Sequence, residues 1–298
     1  MDAESLRTFL AIHATGGFSS AASRLNRSQP AISRRIALLE DELGVPLFER
    51  VHGGVRLSDA GQVLLPHARL AMAAMQDCET AIAELRSGTG GPLSVAAVGT
   101  LAGANLTPIL ERFSSAHPRT ELTLRTATSA EVSDLVRSGE ATIGLRYHRD
   151  ASPDLDCGEL CSEPLQVVCG PKHPLAGRRI ASLRKLAGER WLLFPNARRL
   201  PETSADNLFA QFQVLGIADL RWMPVDSLTA QKRLVEAGYG LAVLPTSAIN
   251  EELRSGSLAA IRVTGVRLSN PVCLVTRRDG YLSPLALALI ELLQDAIP

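Results

Sequence analysis

Up to residue 87 the apolar positions recur mostly at helical spacing, with one short strand-like interruption. Leu6, Phe9, Leu10 and His13 share one face of a helix predicted over residues 2–14, so His13 is expected to fill part of a packed surface; Gly16-Gly17 ends that helix. Ala21, Ala22 and Leu25 form a second, short helix that Ser19 or Ser20 can cap, and Asn26-Arg27-Ser28 breaks it. Ser28 is a good N-cap for a third helix, with Gln29 and Pro30 in a first turn that tolerates proline. In it Ile32, Ile36, Leu39 and Leu43 recur at intervals of four and three, which predicts one buried stripe. Residues 47–57 read as two short strands around a Gly53-Gly54 turn. Ser58 then caps a long helix to about residue 87, with Asp59 in its first turn and a bend at Pro66. Ala71, Met75, Cys78, Ile82 and Leu85 repeat along it at four, three, four and three, the spacing of a coiled-coil seam.

After the small, flexible stretch 87–92 the pattern changes to alternating strands and helices. Strands are predicted at 93–98, 121–126, 141–147, 163–170, 190–194, 221–225, 241–244, 258–263 and 271–277. Helices are predicted at 106–115, 130–138, 204–215, 228–237 and 283–297. The first five of these elements make a βαβαβ run, which implies parallel strands with right-handed crossovers.

Composition sharpens this picture in three places. The 298 residues suffice for two or three domains, and the formal net charge is zero, so no global field attracts nucleic acid. Any such attraction is local: six arginines between Arg24 and Arg56 face four acids, Glu40, Asp41, Glu42 and Glu49, which lie mainly away from the basic start of the third helix. The five cysteines, Cys78, Cys157, Cys161, Cys169 and Cys273, show no metal-site spacing. Cys157 and Cys161 are the only close pair and a candidate redox switch, whereas Cys169 and Cys273 sit in apolar strands as packed thiols. The first residues lack a leader pattern and no apolar run is long enough to span a bilayer, so a cytoplasmic protein without a membrane partner is expected.

Gln29, Ser33, Arg34 and Arg35 leave a polar, cationic face at the start of the third helix, after a helix and a turn. That arrangement suits a recognition helix in a DNA major groove, and equally a helical hairpin with a solvated basic face. The ungapped run Phe9, Gly17-Phe18, Ala21-Ala22, Leu25, Ser28-Gln29-Pro30-Ala31, Ser33, Leu39-Glu40, Leu43-Gly44, Leu47-Phe48-Glu49-Arg50 resembles the N-terminal signature of LysR-type transcriptional regulators. The likeness extends more loosely over the whole chain.

That resemblance implies an α/β protein with a winged helix-turn-helix at 1–58, a linker and dimerisation helix at 59–87, a hinge at 88–92 and an effector domain at 93–298. The effector domain would be two-lobed and periplasmic-binding-protein-like, lobe I at about 93–160 and 267–298 and lobe II at about 161–266, with crossings near Leu160 and Val266. One continuous doubly wound sheet is the alternative. The resemblance further implies a bacterial regulator that binds double-stranded operator DNA as a homodimer or homotetramer, answers a small-molecule effector and contacts RNA polymerase. Gln29, Ser33 and Arg34 would meet base edges; Ser28, Pro30, Arg35, Arg50 and Arg56 would set the protein on the phosphates. The seam Ala71, Met75, Cys78, Ile82 and Leu85 would join two copies. Family members often carry an arginine at the wing tip, where this chain has His52-Gly53-Gly54.

In open α/β lobes ligands sit beyond the carboxyl ends of strands, next to helix N-termini. The rule selects Gly99, Thr100, Leu101, Thr128, Ser129, Asn196, Thr203 and Ser227 as effector-binding candidates, although a lone Ser or Thr there is often only a helix cap. Their hydroxyls and N–H groups suit a carboxylate or other small anion. Arg146, at a strand end, is either a clamp for that carboxylate or an ion pair with Asp150 or Asp154. No GxSxG, HExxH or GxxxxGK[ST] motif appears, so no catalytic residue, metal or cofactor is expected. The alternative is a cytoplasmic two-lobed binding protein or enzyme without sequence-specific DNA binding.

Overall fold

The computed structural model describes residues 1–51, 54–87, 90–103, 106–194 and 221–296, the side chains of 84–87 excepted. His52 and Gly53 of the wing turn, Gly88 and Thr89 of the expected hinge, the Leu85 side chain, and the helix expected over 204–215 lie outside the described residues. The chain divides into two compact units, one centred on residues 1–88 and the other holding most of the later residues.

In the first unit α1 (Ala3–Thr15) is capped by the Asp2 carboxylate, which accepts from Ser5 N at 2.7 Å, and ends at Gly16 in the left-handed region. Its buried face is Leu6, Phe9 and Ile12, and His13 is exposed. The expected stripe was therefore rotated by one position, because Ile12 rather than His13 falls over the core. α2 (Phe18–Arg24) has Gly17 as N-cap with no side-chain bond, so neither Ser19 nor Ser20 caps it; both lie inside its first turn. α3 (Gln29–Leu43) is capped as expected, Ser28 Oγ accepting from Ala31 N at 3.4 Å. Ile32, Ile36 and Leu39 are buried, but Leu43 is 40 % exposed because the last turn runs past the core.

These helices close over Phe9, Ile12, Ala21, Ile36, Leu39, Leu47 and Ala68. Each large apolar side chain so buried contributes about 1.5–3 kcal/mol. The wing strands β1 (Phe48–Val51) and β2 (Gly54–Leu57) pair antiparallel. The Phe48 ring holds them to the helices, 5.3 Å from Phe9 and 5.9 Å from Phe18. α4 (Asp59–Ser87) starts at Ser58, whose hydroxyl accepts from Gly61 N at 3.1 Å and donates to Pro46 O at 2.6 Å. Its Ala68 and Ala73 are buried, while Ala71, Met75, Cys78 and Ile82 are exposed.

The second unit opens with β3 (Pro92–Val98), α5 (Thr107–Ala116), β4 (Glu121–Ala127), α6 (Ser129–Arg137) and β5 (Ile143–Tyr147), with β3 parallel to both β4 and β5. β6 (Leu155–Cys169) begins well before the predicted 163, since Asp156, Gly158 and Glu159 break the apolar pattern but are held by backbone pairing to a later strand. β7 (Arg179–Ile180), a 3-10 turn at Leu183–Leu186, β8 (Arg190–Leu193), β9 (Arg221–Pro224), α7 (Leu228–Glu236) and β10 (Ala242–Pro245) follow. After a second 3-10 turn (Thr246–Ile249) come α8 (Asn250–Ser255), β11 (Ala259–Val263), β12 (Leu268–Arg277) and α9 (Pro284–Ala296). Neither β7, α8 nor the two 3-10 turns was expected; each is too short for periodicity to show.

One mixed sheet runs in the order β4-β3-β5-β12-β6-β11-β7, with β10 also on β6, and β8 pairs with β9 in parallel. Sheet continuity matches the alternative expectation, but the packing is two-lobed. Ala96, Val132, Val136, Ala141, Leu155 and Val275 form a core from lobe I residues. Two further clusters, around Trp191 and around Val235, come from lobe II apart from Leu268 at its edge. The crossing expected near Leu160 is a register shift within β6, where Glu159 faces Cys273 and Cys161 faces Val272. Among the described residues no helix is long and apolar enough to cross a membrane.

A Cβ at Gly61 would lie 2.2 Å from Leu47 O and 3.0 Å from Leu57 Cδ2. Gly61→Ala is therefore expected to force α4 off the wing and destabilise the first unit by about 1–3 kcal/mol, read as an earlier urea midpoint.

Candidate functional site

The start of α3 stands clear of the core that holds the helix. Ser28, Gln29, Pro30 and Arg34 are exposed and Ser33 and Arg35 partly so. Gln29 Nε2 donates to Ser33 Oγ at 2.9 Å, so these two side chains present their remaining polar groups side by side. Arg35 leans back to α1, 3.5 Å from Glu4 and 3.9 Å from Asp2. On the wing, Arg56 Nε donates to Glu49 Oε2 at 2.8 Å, across the Glu49–Arg56 register pair. Arg50 is exposed on β1. The candidate cations thus differ: Arg34 and Arg50 stand at the surface, whereas Arg35 and Arg56 are engaged by carboxylates. Exposed ion pairs of this kind are weak enough for a phosphate to replace the carboxylate.

Two residues that sequence reasoning missed hold this surface in place. Glu40 Oε1 accepts from Leu47 N at 2.6 Å and from Phe48 N at 3.3 Å, tying the wing strands to α3. Gly54 lies where a Cβ would be 2.7 Å from Gly16 O, and Val55 N donates to that same oxygen at 3.2 Å. An acid among the hydrophobic positions of a helix end was a readable signal for Glu40; nothing local marks the Gly16–Gly54 approach.

In the second unit the effector candidates separate. Thr100 is buried at the end of β3, and its hydroxyl lies 2.8 Å from Tyr147 Oη. Tyr147 donates to Glu163 Oε2 at 2.6 Å, and Ser247 donates to Glu163 Oε1 at 2.8 Å. This chain joins lobe I residues (Thr100, Tyr147) to lobe II residues (Glu163, Ser247). Burial, and then the Glu163 charge, drives the Tyr147 hydroxyl far above its usual range; burial also raises the Glu163 carboxyl, against the hydrogen bonds from Tyr147 and Ser247. Ser129 Oγ accepts from Tyr147 N at 3.2 Å, which brings it to the same strand end. Gly99 is exposed and Leu101 buried beside Thr100.

Thr128 and Ser227 serve as helix caps. Thr128 exchanges bonds with Glu131 in a capping box, its N–H and hydroxyl both reaching Oε2, and Ser227 Oγ accepts from Ala230 N at 3.3 Å. Asn196 and Thr203 lie outside the described residues.

Arg146 takes the ion-pair alternative. It is 2 % exposed, and its Nη1 donates to Ser133 Oγ at 2.6 Å and to Asp150 Oδ2 at 2.5 Å. Successive strand residues face opposite ways, so Arg146 points under α6 while Tyr147 points toward Thr100 and Glu163. Its guanidinium is therefore not available as a carboxylate clamp beside Thr100. Burial alone would raise the Asp150 carboxyl, but bonds from Ser152 and Ser133 and the Arg146 charge hold it at about 2.

Comparison with known proteins matches the two parts of the chain to two family models. Residues 3–62 match the model of the bacterial regulatory helix-turn-helix protein, lysR family, and residues 86–298 match the LysR substrate binding domain. The SDS degradation transcriptional activation protein of a Pseudomonas species is 34% identical, over 99% of this chain and 96% of that one. The regulator CbbR of Rhodospirillum rubrum is 28% identical, over 94% and 91%. The LysR family regulator CbnR shares the fold at a TM-score of 0.68 and 26% identity, each chain covered in full. Full-length CbnR complexed with its target DNA matches at a TM-score of 0.66 and 26% identity, covering 99% of this chain and 100% of that one.

Asp150→Asn would leave Arg146 buried without its counter-charge and is expected to cost about 3 kcal/mol at pH 7. Because the folded-state carboxyl is depressed, its stabilisation is present above the ordinary carboxylate range and is lost as pH falls through about 2. Urea midpoints of parent and variant should accordingly converge in strong acid.

Proposed function

This chain belongs to the LysR family of DNA-binding transcriptional regulators, and on that premise we propose how its residues divide the work. The carrying observation is the Ser28-capped start of α3, which presents Gln29, Ser33 and Arg34 outward from a helix fixed on its other face by Ile32, Ile36 and Leu39. Gln29, Ser33 and Arg34 read base edges in the major groove; Ser28, Pro30 and Arg50 set the register on the phosphates, joined by Arg35 and Arg56 once they exchange their carboxylates. The exposed Ala71, Met75, Cys78 and Ile82 of α4 join two copies, so that paired recognition helices meet an inverted repeat about one helical turn apart. Assembly of two such dimers and contact with RNA polymerase extend the same reading.

A small effector binds between the lobes of the second unit, near Thr100, Leu101 and Ser129. The Thr100–Tyr147–Glu163–Ser247 chain supports this: it is a polar link across the lobes that a ligand able to hydrogen-bond can rearrange. Ligand control requires that the effector bind one lobe arrangement better than the other.

Fluorescence anisotropy on the target operator, found by genome-wide binding, separates the assignments. Arg34→Ala should weaken specific binding by about 10–100-fold with little change on random DNA, as expected for a lost base contact. Arg50→Ala should weaken both and flatten the salt dependence. Equal losses on both DNAs for Arg34→Ala would overturn its base-reading role. Ile82→Glu should shift sedimentation of the full chain toward the monomer at micromolar concentration.

A further inference from the structure

Beneath α6 lies a sulfur cluster that none of the roles above uses. Cys157 faces Val275 and Cys273 faces Glu159 across β6 and β12, so the two thiols are diagonal neighbours on one face of the sheet. Asp150 N donates to Cys157 Sγ at 3.3 Å, and Arg146, the register partner of Cys273, places its buried guanidinium on the same face. Cys157 is half-buried and Cys273 is 1 % exposed, so one thiol can be reached and the other waits behind it. The neighbouring Cys273 thiol, then the Asp150 N–H and the Arg146 charge, pull the Cys157 thiol below its usual range, against burial and the Asp150 carboxylate. The neighbouring Cys157, and then burial, raise Cys273.

Cys161, the partner that sequence spacing suggested for Cys157, is elsewhere. It lies beyond the register shift, opposite Val272 on the face that carries Tyr147. Burial, then Glu163 and Glu159, raise its thiol.

We propose that Cys157 and Cys273 form a two-thiol modification site for hydroperoxides. The Cys157 thiolate attacks the distal oxygen of the peroxide and the O–O bond breaks. Cys157 becomes a sulfenic acid, and the departing oxygen takes a proton from solvent and leaves as an alcohol, or as water from hydrogen peroxide. The Cys273 sulfur then attacks the Cys157 sulfur, the S–O bond breaks, and the hydroxyl leaves as water with the Cys273 proton. The two thiols lose two electrons and the peroxide gains them. The disulfide so formed staples β6 to β12 beside the register shift and takes the acceptor from Asp150 N. This site stands on the sheet geometry and does not rest on the DNA-binding assignments.

The test uses the reduced full chain, hydrogen peroxide and dimedone, with peptides read by mass spectrometry. The parent is expected to give a Cys157–Cys273 linked peptide. Cys273→Ser, with Cys273→Ala as a second variant should the first not fold by circular dichroism, is expected to give a dimedone adduct on Cys157. Iodoacetamide at pH 7 should alkylate Cys157 at least about tenfold faster than it alkylates free glutathione, since an ordinary thiol is only a few per cent thiolate there. First oxidation at Cys78 or Cys161, a Cys157–Cys161 bridge, or alkylation of Cys157 no faster than that of glutathione would overturn the proposal.

Discussion

The second unit depends on the backbone pairing of β6 with β12. These strands run antiparallel from Leu155 opposite Arg277 to Leu165 opposite Leu268, and each passes from one apolar core to the next. Backbone bonds, not side-chain burial, hold the part of β6 that carries Asp156, Gly158 and Glu159. Because strand residues alternate, the pairing also sorts chemistry onto two faces. One carries Tyr147, Cys161 and Glu163; the other carries Arg146, Cys157 and Cys273 beneath α6. The register shift at Glu159–Cys161 separates the two cysteines that are closest in sequence.

The same sorting explains what the sequence could and could not convey. The stripe Ile32, Ile36 and Leu39 and the cap at Ser28 are local patterns, legible in a short window of sequence. The N-terminal helices, the wing strands and the βαβαβ run appeared nearly at their expected bounds for the same reason. His13 and Leu43 were misplaced because periodicity gives a face but not its limit: Ile12 covers the core, and the last turn of α3 extends beyond it. Arg146 was seen as an exceptional charge at a strand end, yet its choice between a ligand and Asp150 is made by which side of β5 it occupies. The Thr100–Tyr147–Glu163–Ser247 chain has members up to 147 positions apart, from Thr100 to Ser247, and no spacing rule reaches across a sheet.

Charge at the first unit follows a comparable logic. A chain of zero net charge cannot gather DNA by its overall field, so affinity must come from cations at the contact. Of the four arginines assigned to that surface, Arg35 and Arg56 are engaged by Glu4, Asp2 and Glu49 in the free protein. Exchanging a carboxylate for a phosphate costs the first contact to make the second, which lowers non-specific attraction and, under the proposed division of work, leaves more of the discrimination to Gln29, Ser33 and Arg34.

The close approach of Gly54 to the Gly16 carbonyl has a further meaning. It holds the wing against the end of α1, while the Glu40 carboxylate on Leu47 N and Phe48 N holds it against α3. The surface that meets nucleic acid is thus assembled before the encounter, and little ordering entropy remains to oppose association. A side chain at Gly54 would therefore disturb that surface through the Gly16 carbonyl, without removing any polar group from it.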